Sequence, residues 1–507
     1  MIIAVDAPPE AETILDNPSR QELRKMASHD ERTTEYGSAA YVTDHRSRSA
    51  QNTRNTVDGE VTEEDMERLE RVREHLAGRE LIRVDRQMGE GSGFGSLHCR
   101  LYVTKPFARL AHMFAASLVP ARDPDGEPHF VTVDVPDWPY GKHILVDPEN
   151  GTTYVLGSDY FGEIKKSFLR QAMYHAKQRG WQGLHAGSKL VRARSARDGA
   201  LDEKGFLFFG LSGTGKTSLT CHDFELDLPE GEHVRVRQDD VVLLNRDAYC
   251  KGTEGGGFYI KTDSLNPQDQ KALYDAAVSP RAILENVWVE PDGTVDFDNP
   301  ELTRNGRAVV PIDEVLNTDD TIDVERITHV FFITRNPLVP ALGRLTAGQA
   351  AVAFMLGESI KTSAADPDAK GEPVRSVGTN PFIVGPKGEE GEIFHDILEA
   401  NPGLHCYLLN TGKIGDGDRA EVIRLPDTVA ILRALARDQV EWEDDPVSGL
   451  EVPAAGSVPD VADSKFRLAD HFGEAELEER LEGLRRERRA WLERFPRFPD
   501  ELTEAVY

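Results

Sequence analysis

The chain has 507 residues, 39% of them hydrophobic; it is longer than a single core usually sustains, so two domains are expected. Asp and Glu number 88 against 59 Lys and Arg, a net charge of −29, which excludes nucleic acid and anionic membrane as partners because both need basic surface. The cations are 17 lysines and 42 arginines, and an acidic, lysine-poor surface suits a halophile's protein, whose charge repulsion is screened within about 3 Å at 1 M salt.

Met1-Ile2-Ile3-Ala4-Val5 is too short for a signal peptide, and no apolar run approaches the ~20 residues of a membrane span. Cys99, Cys221, Cys250 and Cys406 are far apart, as in reduced thiols of a cytoplasmic protein. Residues 10–26 read as a partly helical arm. His45-Arg46-Ser47-Arg48-Ser49 is basic in an acidic chain: either a solvated loop or a site for a carboxylate or phosphate. Met66, Leu69, Val72 and Leu76 recur at helical spacing, which predicts an amphipathic helix over 63–76. Residues 89–95 are a flexible glycine loop that lacks a lysine. Strands are expected at 97–103, 131–135, 143–146 and 152–156, and helices at 107–118 and from about 160 to 178. His185 stands alone in a strand-like stretch, where a core histidine is the commoner reading than a ligand.

The apolar run 205–209 predicts a buried strand. Gly210-Leu211-Ser212-Gly213-Thr214-Gly215-Lys216-Thr217 follows, with Ser218 opening a helix. This is Gly-x-x-x-x-Gly-Lys-Thr, a loop whose backbone N–H groups turn toward one point and hold phosphate. Lys216 can reach the β/γ-phosphates and the Thr217 hydroxyl can ligate the nucleotide's Mg²⁺. Asp239-Asp240 end the next strand-like run, the placement of metal-binding acids in such proteins. Residues 254–262 form a second glycine-rich turn with Lys261 on the emerging strand. Further strands are expected at 282–287 and 308–312, the latter just after Arg307, and a core strand at 329–334. Residues 335–346 carry Pro337, Pro340 and Gly343 and read as a mobile loop, a candidate lid. Beyond them come a helix at 348–357, a polar surface insertion at 362–380, and a helix at 393–401. A strand at 404–409 and a helix at 428–436 follow, then an acidic linker at 441–463. A charged helix at 474–495 has acids first and arginines last, which matches the helix dipole.

With these pieces placed, the chain resembles the ATP-dependent phosphoenolpyruvate carboxykinases. The resemblance rests on the phosphate loop and, in the family's order, on five further stretches. These are Tyr160-Phe161-Gly162-Glu163-Ile164-Lys165-Lys166; Leu184-His185; Asp239-Asp240; 254–262 with Leu284-Glu285-Asn286-Val287; and Asn305-Gly306-Arg307. It covers residues 41–435. It implies an α/β fold: a mixed α+β N-terminal domain over 1–180 and a mononucleotide-binding domain over 181–440 with its phosphate loop at 210–217. The active-site cleft is implied between them, and 441–507 is a linker and helix packed on the nucleotide domain.

The resemblance also implies the reaction: oxaloacetate is decarboxylated and phosphorylated by ATP to phosphoenolpyruvate, CO₂ and ADP, a step of gluconeogenesis. It implies Mn²⁺ on Lys166, His185 and Asp240, with Lys166 neutral, and Mg²⁺ on Thr217 with Asp239 in its outer sphere. Arg46 and Tyr160 match substrate-binding positions. Lys166, Lys216, Lys261 and Arg307 match catalytic ones, with Arg307 between substrate and γ-phosphate. Residues 210–218 match the ATP-phosphate site, and Arg419 and Thr428 the adenine surroundings, although these two lie three residues further apart than the family pattern. Gln270 stands where the family has an acid, and Ala186 where it has a cysteine. A cytoplasmic monomer acting on small molecules is the expectation. The alternatives are a phosphate-loop kinase without decarboxylation and a non-catalytic nucleotide-binding regulator.

Overall fold

The structure, a computed structural model, describes residues 9–46, 50–91, 96–211, 214–360 and 373–507. It is a mixed α/β protein in two units. Unit 1 is Met1–Arg179, Gly252–Ile322 and Phe382–Gly385; unit 2 is Gly180–Lys251, Asp323–Pro381 and Pro386–Tyr507.

Unit 1 holds an eight-stranded sheet. Its path runs Thr13–Asp16, Glu80–Met88, Leu97–Thr104, Phe130–Val135, Thr152–Leu156, His143–Asp147 and Thr53–Asn55, with Val119–Pro120 paired off Glu80–Met88. Helix Glu63–Ala77 starts where Thr62 and Asp65 form a capping box, which satisfies two orphan donors reciprocally. Its predicted stripe, Leu69, Val72 and Leu76, packs with Leu81, Tyr102, Val133 and Trp138. The arm at 10–26 is partly helical as expected, with a strand that the sequence reading did not foresee. Thr13–Asp16 is a strand parallel to Glu80–Met88, Ile14 opposite Leu81, and only Arg20–Met26 is helical, started by the Ser19/Glu22 capping box.

A five-stranded sheet follows the order Gly257–Lys261, Arg307–Pro311, Ile283–Glu285, Ala39–Tyr41, Arg32–Thr33. Residues 252–322, which the sequence reading puts with the phosphate loop, therefore pack in unit 1. The cause is non-local: Leu284 pairs in parallel with Ala40, a partner over 200 residues earlier, and no local pattern announces that.

Unit 2 is built on an eight-stranded sheet in the order His233–Asp239, Ala186–Arg194, Leu201–Phe209, Ile327–Thr334, His405–Asn410, Leu342–Leu345, Leu450–Pro453, Trp442–Asp445. Leu201–Phe209, Ile327–Thr334 and His405–Asn410 run parallel to one another. Side chains in register stack across them, Phe208 on Phe331 at 4.9 Å and Phe331 on Tyr407 at 5.2 Å between ring centroids. Phe206, Phe208 and Phe209 are all fully buried, so both faces of the strand that feeds the phosphate loop are covered. That explains why its sequence is a continuous apolar run.

Two further readings are corrected here. The segment 441–463 is not a linker: Trp442–Asp445 and Leu450–Pro453 form the sheet's outer hairpin. Its acids sit on the edge strand, where charge blunts pairing with other chains. The segment 335–346 is not a lid. It contains the strand Leu342–Leu345, Ala341 and Leu342 are fully buried, and Asn410 donates its Nδ2 to the carbonyls of Asn336 and Val339 at 2.9 and 2.8 Å. Pro337, Pro340 and Gly343 shape a packed turn here. Cys99, Cys221, Cys250 and Cys406 are buried free thiols, and among the described residues no helix is long and apolar enough to cross a membrane.

Candidate active site

In unit 2 the strand Leu201–Phe209 delivers the chain into the loop. Gly210 is required because a Cβ there would meet Thr214 Oγ1 at 2.6 Å. Thr214 donates its N–H and its hydroxyl to the Leu211 carbonyl at 3.1 and 2.8 Å, which closes the turn. Gly215 sits at φ +105, open to glycine and strained for other residues, and the helix Lys216–Cys221 begins directly after it. Ser212 and Gly213 lie outside the described residues, as do Ser47, Arg48 and Ser49, residues 92–95 and residues 361–372. The loop helix is held from behind. Lys189, fully buried, donates to the carbonyls of Leu219 and His222 at 2.7 Å each and lies 3.4 Å over the Phe224 ring. Burial pushes its ammonium well below the ordinary range.

Asp239, the last residue of its strand, meets the loop. Its Oδ2 accepts from the Thr217 hydroxyl at 2.8 Å and its Oδ1 lies 3.6 Å from Lys216 Nζ. Oδ1 is buried and receives no hydrogen bond. A hydroxyl and a carboxylate so placed beside a phosphate loop fit a Mg²⁺ that the nucleotide brings. Next to it, His185 Nδ1 donates to the Thr379 carbonyl, which can only accept, at 2.8 Å, and this fixes the orientation of the ring. Its Nε2 is 3.1 Å from Asp240 Oδ1. An imidazole nitrogen and a carboxylate oxygen are donor types that a transition metal takes, and a carbonyl partner on the far ring nitrogen is what orients a metal-binding histidine. Among the described residues no group of three His, Cys, Asp or Glu side chains could hold a metal, so this pair needs a third ligand of another kind.

Arg419 ends the turn Gly417–Arg419, and Thr428 is buried in the helix Leu425–Ala436 with its hydroxyl on the Arg424 carbonyl at 3.4 Å. Glu421–Val422, which pairs with Lys413–Ile414, lies within the stretch between them that is three residues longer than the family pattern.

In unit 1 the other predicted residues are joined by one side chain that the sequence reading had not singled out. Asn305 Nδ2 donates to the Arg46 carbonyl at 2.8 Å and to the Tyr160 hydroxyl at 3.2 Å, while its Oδ1 accepts from Arg307 at 2.7 Å. Arg307 stands directly opposite Lys261 in an antiparallel register, so the two cations are neighbours. Lys261 is paired with Asp263 at 2.8 Å. Tyr160 precedes the helix Phe161–Lys177, and its ring lies back over the first turn. A Cβ at Gly162 would meet that ring at 2.4 Å, which explains the glycine in Tyr-Phe-Gly. On the same helix Lys165 pairs with Glu254 at 3.1 Å, both buried, and Lys166 lies 4.6 Å over the Phe382 ring. Asn286, at φ +57, clamps Thr43 through two side-chain hydrogen bonds and so fixes the chain leading to Arg46. Gln270 precedes the short helix Lys271–Ala277.

Glu285 is the second site residue that the sequence left without a role. It accepts from the Phe161 N–H at 2.8 Å and from the Tyr259 hydroxyl, whose ring lies 5.4 Å from Lys165 Nζ and 5.6 Å from the Arg307 guanidinium. Burial pushes its carboxyl up from 4.5 to about 7, against the pull of the two donors. A raised carboxyl pKa contributes stability that is fully present below 4.5 and lost as the pH climbs through 7. At 1.4 kcal/mol per unit this comes to about 3 kcal/mol. Glu285→Gln, with no such proton to lose, is expected to gain that amount on wild type across the window. Urea unfolding at pH 4.5 and 8 measures it, and parallel pH dependences sink the assignment.

Fold and loop define a protein that binds a nucleoside triphosphate on a phosphate loop beside a strand-end acid pair. The family model for phosphoenolpyruvate carboxykinase matches residues 12–464. The chain is 40% identical over 373 residues to the phosphoenolpyruvate carboxykinase (ATP) of Aeropyrum pernix, covering 73% of each chain. It is 28% identical over 429 residues to phosphoenolpyruvate carboxykinase (ATP) 1 of Salinibacter ruber, covering 80% of this chain and 75% of that one. The chain belongs to the ATP-dependent phosphoenolpyruvate carboxykinase family.

Proposed function

We propose that the chain converts oxaloacetate and ATP to phosphoenolpyruvate, CO₂ and ADP, with the acid held by unit 1 residues and the nucleotide by unit 2 residues. The observation that carries this division is Asn305, which ties Arg46, Tyr160 and Arg307 into one cluster. Arg46 and Tyr160 bind and orient oxaloacetate. Arg307, between the substrate and the γ-phosphate, stabilises the charge that develops on the keto oxygen as CO₂ leaves, and its strand neighbour Lys261 meets the transferring phosphoryl group. The enolate oxygen then attacks the γ-phosphate. Phosphoryl transfer asks for in-line positioning and charge neutralisation, which Lys216 and the N–H groups of 210–218 supply. Arg419 and Thr428 flank the adenine. Thr217 would hold Mg²⁺ with Asp239 in its outer sphere, and Lys166, His185 and Asp240 would be the ligands of Mn²⁺. When bound, these ions supply Lewis acidity and neutralise phosphate charge.

The same reading carries a monomer in the cytoplasm of a high-salt cell, supported for the last point by 88 acids and only 17 lysines. The test is ATP- and Mn²⁺-dependent formation of phosphoenolpyruvate from oxaloacetate, with GTP as control, in dilute buffer and in molar KCl. Activity with ATP that rises with salt is expected. Preference for GTP overturns the nucleotide assignment, and an optimum in dilute buffer overturns the salt adaptation.

A further inference from the structure

Arg335 is the first residue after the strand Ile327–Thr334, which lies parallel beside Leu201–Phe209 with Phe332 opposite Phe209. Both strands therefore release their chains at the same carboxyl edge of the sheet, one into the phosphate loop and the other into Arg335. Ligands of open α/β sheets bind outside that edge. The strand His405–Asn410 ends there too, with Asn410 opposite Thr334, and is followed by Thr411.

Thr411 connects Arg335 to the loop. Its N–H donates to the Thr334 carbonyl at 3.0 Å, and its hydroxyl donates to the Thr214 carbonyl, inside the loop, at 3.0 Å. That hydroxyl accepts a long bond of 3.5 Å from Arg335 Nε. Gly412 leaves room for the arginine stem, because a Cβ there would come 3.1 Å from the Cβ of Arg335.

Among the described residues Arg335 has no carboxylate partner. In unit 2 Lys204 pairs with Asp438, Lys216 with Asp239, Arg344 with Glu451 and Arg437 with Glu232, and the buried Lys189 rests on two carbonyls inside the fold, whereas Arg335 makes the long bond to Thr411. Burial alone acts on its guanidinium, lowering its pKa from the ordinary range. A partly desolvated cation with no counter-charge, in a chain with 88 acids to choose from, is what a site looks like when its anion arrives with a ligand. The planar fork suits bidentate contact with phosphate oxygens.

We propose that Arg335 is a polyphosphate-binding residue of the nucleotide site, a second cation beside Lys216, positioned by Thr411. The inference rests on the ATP-dependent reading of the loop. The experiment compares full-length wild type, Arg335→Gln and Arg335→Lys by calorimetry with Mg·ADP and with adenosine, and by the KM for ATP and for oxaloacetate in phosphoenolpyruvate formation.

Loss of one charge-assisted contact is expected to weaken Mg·ADP binding and raise the KM for ATP by about 10- to 100-fold in Arg335→Gln, with Arg335→Lys intermediate. Adenosine binding and the KM for oxaloacetate stay within about twofold. An unchanged Mg·ADP affinity overturns the proposal, and so does an equal loss for adenosine, which would place Arg335 on the base or ribose. If Arg335→Gln does not fold, Arg335→Lys decides the matter by the same two criteria. A wild type that forms no phosphoenolpyruvate from ATP overturns the functional reading instead, a result that no Arg335 variant can produce.

Discussion

Replacing Lys216 with alanine is expected to lower phosphoenolpyruvate formation by about 10²- to 10³-fold while part of the metal-dependent decarboxylation of oxaloacetate to pyruvate survives. The two half-reactions draw on different groups. Decarboxylation needs charge stabilisation at the keto oxygen, the role proposed above for Arg307. Transfer needs charge on the γ-phosphate, and removing one preorganised group from such a site costs about 3–4 kcal/mol. Lys216 carries a second burden: it is the charged neighbour of Asp239 Oδ1 at 3.6 Å, a buried oxygen that receives no hydrogen bond. Alanine leaves that carboxylate uncompensated where the triphosphate must sit, so nucleotide affinity falls together with turnover. The measurement is phosphoenolpyruvate and pyruvate formation on the same variant, with Mg·ADP affinity alongside. Equal loss of both products rules out the separation of roles.

How far the sequence reaches depends on the distance over which each feature is encoded. The phosphate loop is legible because its chemistry is local: Gly210, Gly215, Lys216 and Thr217 do their work within eight residues, and a buried strand and a helix flank them in the expected order. Helix 63–76 is legible for the same reason, since its stripe and its cap are both short-range. Asn305 was quoted only as part of a motif because two of its partners lie 145 and 259 residues away, and an asparagine beside a single glycine has no periodicity to betray it.

Glu285 and Tyr259 are similar: each looks like an ordinary strand residue until the register places them beside Arg307. The errors have the same origin. Prolines and a glycine made 335–346 look mobile, yet Asn410, 64 or more residues on, supplies the hydrogen bonds that pack it. Acids made 441–463 look like a linker, yet an edge strand tolerates charge on the side that faces water. Where side chains of one segment satisfy each other, sequence suffices; where they satisfy a strand brought in by topology, it does not.

Asn305→Ala is expected to lower kcat/KM for oxaloacetate by about 100-fold and leave the KM for ATP within about twofold. The size follows from geometry, since a misplacement of about 1 Å at a reacting group costs about that factor. Asn305 holds three partners at once: the Arg46 carbonyl, the Tyr160 hydroxyl and the Arg307 guanidinium. Alanine frees all three, and among the described residues the Arg46 guanidinium keeps its contacts with the Thr43 and Leu302 carbonyls. Asn305→Asp separates positioning from packing. It keeps the size and the acceptor for Arg307, but it turns the donor toward Arg46 and Tyr160 into a second acceptor, so the contact with the Arg46 carbonyl becomes repulsive, the Tyr160 hydroxyl must turn round to donate, and the contact with Arg307 strengthens. A residue that only fills space would tolerate the aspartate better than the alanine. A residue that positions substrate groups predicts the reverse, with the aspartate at least as damaging in kcat/KM for oxaloacetate and thermal midpoints of both variants close to wild type. Matching losses for oxaloacetate and ATP, or an aspartate variant with near wild-type activity, would remove Asn305 from the substrate site and leave Arg46 and Tyr160 to be placed by other means.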